Sequence, residues 1–231
     1  MKKKSISIVI PVYNEAAYIE ECLFSLEKQT LKPLEIIVVD NNCTDRTIDI
    51  VKKFKGIKVL KESEQGITPA RNSGFDKARG DIIVKIDADA RVNKDFLKKI
   101  RTDFIQHPKI AGVTVYVKFY DTLMFRRIKA YYDVYMMFAK ATIGHFIFGG
   151  PTYAISKEFW LKVKDQICLN DKIVHEDIDL SIHVGKLGGE IYFDKSLMTL
   201  ASGRRIKYNP LSFFLEYPAR FVKMLESHRP H

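Results

Sequence analysis

The sequence predicts an α/β protein with a mostly parallel central sheet flanked by helices. Short β-branched runs alternate with helical patterns through the first half of the chain. Two of those runs, Ile36-Ile37-Val38-Val39 and Ile82-Ile83-Val84, are continuously apolar, which is typical of strands buried on both faces. Strand-helix alternation at this spacing favours parallel strands joined by helical crossovers.

The elements follow in order from this alternation. The predicted strands of the first half are Ile6 to Val12, Glu35 to Val39, Ile57 to Leu60 and Asp81 to Ile86. The helices between them are Ala16 to Lys28, Asp45 to Phe54 and Pro69 to Ala78. The second half is less regular, and the elements predicted there are a helix over Asp121 to Thr142, a helix starting near Ile178, and strands over Glu190 to Phe193 and Ser196 to Ala201.

Length and composition indicate one globular domain. The chain has 231 residues, of which 46% are hydrophobic and 29% charged. The apolar run Ile6 to Tyr13 is too short for a signal segment, and no run is long enough to span a membrane, so we expect a cytoplasmic protein. Cys22, Cys43 and Cys168 lack paired spacing, which argues against a disulfide framework or a zinc site.

The chain is basic, especially near its end. Its formal net charge is 38 − 28 = +10, from 38 Lys and Arg residues and 28 Asp and Glu residues. After Asp194 there are seven basic and two acidic residues, a net charge of 7 − 2 = +5. Such a charge attracts phosphates, nucleic acid or anionic lipid, and charge alone does not choose among them.

Polar clusters follow three of the predicted strands: Pro11-Val12-Tyr13-Asn14-Glu15, Asp40-Asn41-Asn42 and Asp87-Ala88-Asp89. Ligands of parallel α/β sheets bind beyond the carboxyl ends of the strands, so we expect these clusters to share one site. Two carboxylates one residue apart can bind a hard divalent cation together with substrate phosphates. A solvated turn or a helix cap is the alternative for this triplet.

Five motifs in order resemble those of the family 2 glycosyltransferases, which have the GT-A fold. The opening motif is Pro11 to Glu15, and Val39 to Asp45 resembles the second. Gly66 with Ala70-Arg71-Asn72-Ser73-Gly74, and then Ala78-Arg79-Gly80-Asp81, match the stretch before the acidic triplet, which is itself the fifth motif. Further along the chain, His175 to Leu180 resembles the family's Glu-Asp-x-x-Leu motif. The resemblance covers about Ile6 to Arg205.

This resemblance implies one GT-A catalytic domain over residues 1–205. Its Rossmann-like half, residues 1–90, would bind a nucleotide-diphosphate-sugar, and residues 91–205 would form the acceptor half. Residues 206–231 would be a basic, aromatic helical tail. The reaction implied is inverting transfer of the sugar to an acceptor hydroxyl of a glycan or a lipid-linked glycan.

The resemblance also implies roles for single residues. Asp40 would contact the base, Asp87 the nucleoside, and Asp89 would bind Mg²⁺ or Mn²⁺ beside the diphosphate. Asp177 would be the general base. The other expected substrate-binding residues are Pro11, Tyr13, Glu15, Arg71, Ala88, Gly150, Glu176, Arg204 and Arg205.

Several structural alternatives accompany these roles. Glu176 and Asp177 would also suit the N-terminus of a helix beginning near Ile178, where acidic residues are favourable. Gly150 would also fit a plain turn, and Arg204 and Arg205 would also suit a membrane-facing surface.

The second motif departs from the family at Asn41-Asn42-Cys43, where many members read Asp-Gly-Ser. Because Asn tolerates left-handed backbone, we expect the turn to persist, whereas the missing carboxylate leaves the preferred base open. Cys43 is interpreted as a small filler of this loop and not as a nucleophile.

Two apolar surfaces suggest further partners. The predicted helix over Asp121 to Thr142 carries more large apolar residues than one buried stripe needs. The tail mixes Leu211, Phe214 and Phe221 with basic residues, which is an interfacial pattern. Contact with the inner face of an anionic membrane or a second subunit of a homodimer is the hypothesis, and packing against the catalytic domain is the alternative.

Three other functions compete with the transferase. A nucleotidyltransferase would carry a glycine-rich phosphate loop after its first strand, where this chain has Tyr13-Asn14-Glu15. A nucleic-acid-binding protein would place three acidic clusters against a polyanion, so nucleic acid is not expected as a partner. A protein that binds nucleotide-sugar without transferring it would not need the intact pair Asp89 and Asp177.

Overall fold

The computed structural model of the chain describes residues 4–121, 128–170 and 174–208, with side chains except at 128–131, 205 and 206. The strands are β1 Ile6–Val12, β2 Glu35–Asp40, β3 Ile57–Lys61, β4 Ile82–Ile86, β5 Arg91–Val92, β6 Ile110–Phe119, β7 Thr152–Ser156 and β8 Glu190–Ala201. The helices are α1 Ile19–Glu27, α2 Thr47–Val51, α3 Ile67–Lys77, α4 Phe96–Gln106, α5 Ile128–Ile143, α6 Lys157–Val163, α7 Glu176–Lys186 and α8 Arg204–Tyr208.

The strands form one sheet in the order β3-β2-β1-β4-β7-β6-β8-β5. The first four strands are parallel, as predicted, because each is joined to the next by a helical crossover. Strand β7 pairs antiparallel with both β4 and β6, while β6 and β8 are parallel. The two strands predicted after Gly189 form a single strand, β8, whose register against β6 shifts between Asp194 and Met198.

Helices cover both faces of this sheet because its strands are apolar on both sides. In β1, Ile8 and Ile10 pack against α1, whereas Val9 between them packs against Phe75 of α3 on the other face. A third cluster joins α5 to α7 and β8 through Met136, Ile178 and Phe193. None of the helices within the described ranges has the length and apolarity needed to cross a bilayer.

The predicted helix boundaries need small corrections. Helix α1 begins at Ile19 instead of Ala16, because residues 16–18 form a turn. Helix α7 begins at Glu176 and not near Ile178, so Glu176 and Asp177 belong to its first turn. The predicted helix starting at Asp121 begins at Ile128 within the described ranges, and residues 122–127 lie outside them. The tail from residue 209 also lies outside the described residues.

Helix α4 packs on β8 through a close pair of carboxyl groups. Asp103 is 8% exposed and Asp194 is 6% exposed. Burial and the neighbouring Asp194 carboxylate raise the pKa of Asp103 to about 7, although Lys99 opposes the shift. The folded protein therefore holds a proton here that the unfolded chain releases near pH 3.8, the ordinary value.

Because the folded-state pKa of Asp103 is raised, this group favours the folded state at low pH and loses that contribution as the pH rises towards 7. We predict that Asp103→Asn gives a smaller fall in melting temperature between pH 5 and pH 8 than the native chain, measured by circular dichroism. Asp165→Asn, at an exposed carboxylate, is the matched control. Identical pH dependence in the native chain and Asp103→Asn would contradict this prediction.

Candidate active site

The three polar clusters lie at one edge of the sheet, as predicted. Strands β2, β1 and β4 are parallel neighbours, so their carboxyl ends meet there. The Asn41 N–H donates to the Val12 carbonyl at 3.0 Å, and Asn14 Oδ1 accepts from the Thr44 N–H at 2.8 Å. These bonds hold the loops after β1 and β2 together.

The loop after β2 depends on two asparagines. Asn42 adopts φ 65°, the left-handed conformation expected where many family members have glycine. Its Nδ2 donates to the Ser63 carbonyl at 3.0 Å, and Asn41 Nδ2 donates to the Glu64 carbonyl at 2.6 Å. Both asparagine side chains thus fasten this loop to the segment before α3.

Asp40 and Cys43 close the same turn. Asp40 Oδ1 accepts from the Cys43 N–H at 2.9 Å, and Cys43 Sγ lies 3.5 Å from the Val12 carbonyl oxygen. Burial raises the pKa of the Cys43 thiol to about 11, so it stays protonated at neutral pH. This geometry fits the interpretation of Cys43 as a filler.

Arg204 joins the end of β8 to two of the clusters. Its guanidinium forms a bidentate ion pair with the Glu15 carboxylate, and its Nε lies 3.4 Å from Asp89 Oδ2. The guanidinium also stacks over the Tyr18 ring, with Cζ 4.6 Å from the centroid. One arginine from the far end of the chain therefore faces the acidic triplet.

A buried chain of charges lies beneath the triplet. Lys85 Nζ is 2.6 Å from Asp87 Oδ1 and 3.3 Å from Glu176 Oε1, and Arg71 pairs with the other oxygen of Glu176. Burial alone would lower the pKa of Lys85, but the carboxylates of Asp87 and Glu176 raise it, so the ammonium stays charged. Burial would raise the pKa of Glu176, and the charges of Lys85 and Arg71 hold it below its usual range.

Asp177 is held at the first turn of α7, facing the loop before β7. Its Oδ2 accepts from the Gly150 N–H at 3.0 Å, and its Oδ1 accepts from the Ile178 N–H at 2.9 Å. Burial and the neighbouring Glu176 raise the pKa of Asp177 to about 6, while Lys85 and these two N–H groups oppose the shift. The carboxylate is therefore ionised at neutral pH, with a proton affinity suited to a general base.

The loop Gly150-Pro151 connects Asp177 to the acidic triplet. The Pro151 carbonyl accepts from the Asp87 N–H at 2.8 Å, next to the bond from Gly150 to Asp177. Gly150 has φ 67°, which an L side chain rarely adopts, so the turn itself requires this glycine.

The other residues expected to bind substrate differ in how far they are exposed to solvent. Tyr13 is 51% exposed at the mouth of the site. Pro11 and Ala88 are buried, so neither side chain is open to a ligand. Arg71 is fully buried against Glu176, so it supports the site from below instead of lying on a helix surface. The side chain of Arg205 lies outside the described residues.

The carboxylates present suit a hard divalent cation shared with a ligand. Within the described ranges, no group of three or more His, Cys, Asp or Glu could hold a metal. Asp87 and Asp89 offer oxygen ligands, and each already pairs with a cation, Asp87 with Lys85 and Asp89 with Arg204. A divalent cation bound here would thus need most of its other ligands from phosphate and water, as Mg²⁺ commonly does.

Lys85 and Tyr153 also belong to the site and were not among the residues predicted from the sequence. Tyr153 is fully buried, and its hydroxyl donates to Glu176 Oε2 at 3.4 Å. Lys85 could have been found from the sequence, because it is the one charged residue in the apolar strand Ile82 to Ile86 and a charged residue is rarely buried without a partner. Tyr153 gave no such signal, since tyrosine is common in buried strands.

The mixed sheet with helices on both faces is the GT-A fold, which the structural neighbours share. The family described as "Glycosyl transferase family 2" matches residues 7–166. The chain belongs to this family.

Two curated relatives illustrate the similarity. An uncharacterized glycosyltransferase of Bacillus subtilis is 35% identical over 106 residues, which are 44% of this chain and 31% of that protein. A second relative, from Methanococcus voltae, is 26% identical over 211 residues, which are 84% of this chain and 65% of that protein. It is named dolichyl N-acetyl-alpha-D-glucosaminyl phosphate 3-beta-D-2,3-diacetamido-2,3-dideoxy-beta-D-glucuronosyltransferase.

Solved structures share the fold across almost the whole chain. A mannosyltransferase of Pyrobaculum calidifontis in complex with GDP-Man and Mn²⁺ is 20% identical, with a TM-score of 0.76 over 97% of this chain and 64% of that one. Glucosyl-3-phosphoglycerate synthase of Mycobacterium tuberculosis, in complex with Mn²⁺, UDP and phosphoglyceric acid, is 17% identical. Its TM-score is 0.68 over 99% of this chain and 80% of that chain.

This chain matches only part of its curated relatives. It covers 30%, 17% and 31% of the lengths of three of them. Family membership therefore concerns the matched part of these relatives and does not extend to their whole length.

Two substitutions at position 42 separate backbone strain from the lost side-chain bond. Asn42→Gly and Asn42→Ala both remove the bond to the Ser63 carbonyl, but only alanine has a Cβ that disfavours φ 65°. We predict that Asn42→Ala is less stable than Asn42→Gly by about 1 kcal/mol, measured by urea unfolding. Equal stabilities would show that the left-handed backbone is not maintained.

Proposed function

We propose that this domain is an inverting glycosyltransferase that moves a sugar from a nucleotide-diphosphate-sugar to an acceptor hydroxyl. The main support is the link between the acidic triplet and the expected base. The Asp87 N–H and the Asp177 carboxylate bond to adjacent residues of one turn, Pro151 and Gly150. A donor bound at the triplet would therefore present its sugar towards Asp177.

The proposed reaction is a single displacement. The acceptor oxygen attacks the anomeric carbon and forms the new glycosidic bond, while the bond from that carbon to the diphosphate oxygen breaks. The nucleoside diphosphate leaves with the electron pair of the broken bond, and Asp177 takes the acceptor proton. Attack from the face opposite the leaving group inverts the anomeric configuration.

The donor end of the site would be assembled from residues of distant segments. Asp40 would contact the base, Asp87 the nucleoside, and Asp89 would hold Mg²⁺ or Mn²⁺. The bound cation would stabilise negative charge on the departing phosphates. Arg204 is anchored to Glu15 and would add a guanidinium beside the same phosphates. The complexes of two structural neighbours with Mn²⁺ support the choice of a divalent cation.

A thermal-shift panel of UDP-GlcNAc and GDP-mannose, each with and without Mn²⁺, tests donor binding. A ligand that binds only the native state raises its melting temperature. We predict a donor shift that Mn²⁺ increases and that Asp89→Asn abolishes. Asp177→Asn should keep this shift and reduce transfer to acceptor by about 100-fold or more, because it removes the base.

Asp165→Asn, an exposed carboxylate away from the site, is the matched control and should retain both properties. A donor shift without transfer by the native chain would favour a protein that only binds nucleotide-sugar. Formation of nucleotide-sugar from a sugar phosphate would favour a nucleotidyltransferase. Full transfer by Asp177→Asn would show that the base lies elsewhere.

For the acceptor, we propose a glycan, with a lipid-linked glycan at an anionic membrane as the specific form. Val134, Met137 and Phe138 of α5 are 68%, 54% and 60% exposed and share one helix face. The exposed Lys140 follows them on the same helix. An apolar face beside a basic residue suits an anionic bilayer surface. The name of the Methanococcus voltae relative, which specifies a dolichyl-phosphate-linked acceptor, supports this form.

We predict that the native chain floats with vesicles containing phosphatidylglycerol, and that Met137→Gln with Phe138→Ser reduces the floated fraction several-fold. Vesicles of phosphatidylcholine alone and high salt should weaken the binding, since part of it is electrostatic. A native chain left wholly in the soluble fraction would exclude membrane contact. If sedimentation instead shows a dimer that this double variant dissociates, the face joins two copies of the chain.

A further inference from the structure

Lys85 is a buried cation for which the proposed reaction has no assigned role. Its side chain is 3% exposed in β4, a strand whose other residues are all apolar. A buried strand position of this kind is normally aliphatic, because an ion loses its hydration there. The presence of a lysine therefore requires compensating charges.

The location of Lys85 follows from the period of the strand. Ile83 and Lys85 are two residues apart, so both face the same side of the sheet. Ile83 packs in the cluster that contains Phe75 of α3 and Leu180 of α7. Lys85, one step nearer the carboxyl end, therefore meets the first turn of α7 at the edge where the acidic triplet lies.

The ammonium bridges two parts of the site that are far apart in sequence. It lies 2.6 Å from Asp87 Oδ1 at the donor end and 3.3 Å from Glu176 Oε1 beside the expected base. Arg71 neutralises the other side of Glu176, so two cations and two carboxylates balance. Each carboxylate is thereby held in one orientation.

We propose that Lys85 is a positioning residue that couples donor binding at Asp87 to the placement of Asp177 through Glu176. This role rests on the proposed transferase function. The ammonium fixes the Asp87 carboxylate towards the donor and holds the first turn of α7 against β4. One side chain therefore sets the distance between the two ends of the site.

The same ammonium also acts on the titration of Asp177. The groups that face this carboxylate are Glu176 on its own helix, Lys85 on β4, the Tyr132 hydroxyl on α5 and the Gly150 N–H. Burial and Glu176 raise the pKa of Asp177, whereas the charge of Lys85 lowers it. Removing that charge should move the acidic limb of the rate profile to higher pH, because the base would protonate earlier.

The test compares Lys85→Gln, Lys85→Met and Lys85→Arg with the native chain. Glutamine keeps hydrogen-bonding groups without the charge, methionine keeps only the apolar stem, and arginine keeps the charge. In both neutral variants the acidic limb of the profile of kcat/KM against pH should move to higher pH by about one unit. In Lys85→Arg it should stay near its native position. The donor KM and the Kd for UDP or GDP with Mn²⁺ should increase about tenfold in the neutral variants.

Lys157→Met is the matched control, because Lys157 Nζ donates to the Phe75 and Asp76 carbonyls away from the site. It should leave the pH limb and donor KM unchanged. A neutral variant that stays folded by circular dichroism and keeps the native pH limb and donor KM would overturn the proposal. Loss of folding in both neutral variants would show that Lys85 has a structural role only, and would also overturn the proposal.

Failure of the transferase function itself is a separate outcome. If the native chain transfers no sugar from any donor, the Kd for UDP or GDP remains a direct test of the link from Lys85 to Asp87. An unchanged Kd in Lys85→Gln would then overturn the role of Lys85.

Discussion

The buried alternation of charge from Asp87 through Lys85 and Glu176 to Arg71 is the interaction on which the site depends. Ionised groups away from water are stable only beside opposite charges, so each member fixes the position of the next. Lys85 lies in β4, Glu176 in α7 and Arg71 in α3, so the chain of ion pairs sets how these three elements meet. Removing one of the buried members, Lys85, Glu176 or Arg71, would leave an unbalanced buried charge, which costs about 3–5 kcal/mol in other proteins.

The parallel half of the sheet explains why the three polar clusters converge. Strands β2, β1 and β4 end at one edge, and each end passes into a polar loop. Strand β7, antiparallel to β4, begins at the same edge, so the turn Gly150-Pro151 comes to lie beside the acidic triplet. The parallel strands thus bring the polar clusters together, and the antiparallel strand β7 brings in the loop that contacts Asp177.

The two acidic residues of the triplet pair with cations that differ in their exposure to solvent. Lys85 is buried under Asp87 and is permanently paired. Arg204 lies beside Asp89 at the surface of the site, where a phosphate ligand would share it. This difference supports the proposed division of roles, in which Asp87 is held in place and Asp89 faces the diphosphate of the donor.

The α/β class, the first four strands and the edge at which the polar clusters meet could be predicted from the sequence, because apolar runs and their polar ends are local patterns. The left-handed turn at Asn42 could also be predicted, since it follows from the conformational tolerance of asparagine. Three contacts arise from the packing of the elements: Arg71 is buried under the site, Arg204 reaches Glu15, and Lys85 joins β4 to α7. Those contacts connect residues up to 189 positions apart, and their formation depends on how separately folded elements pack, which periodicity along the chain does not encode.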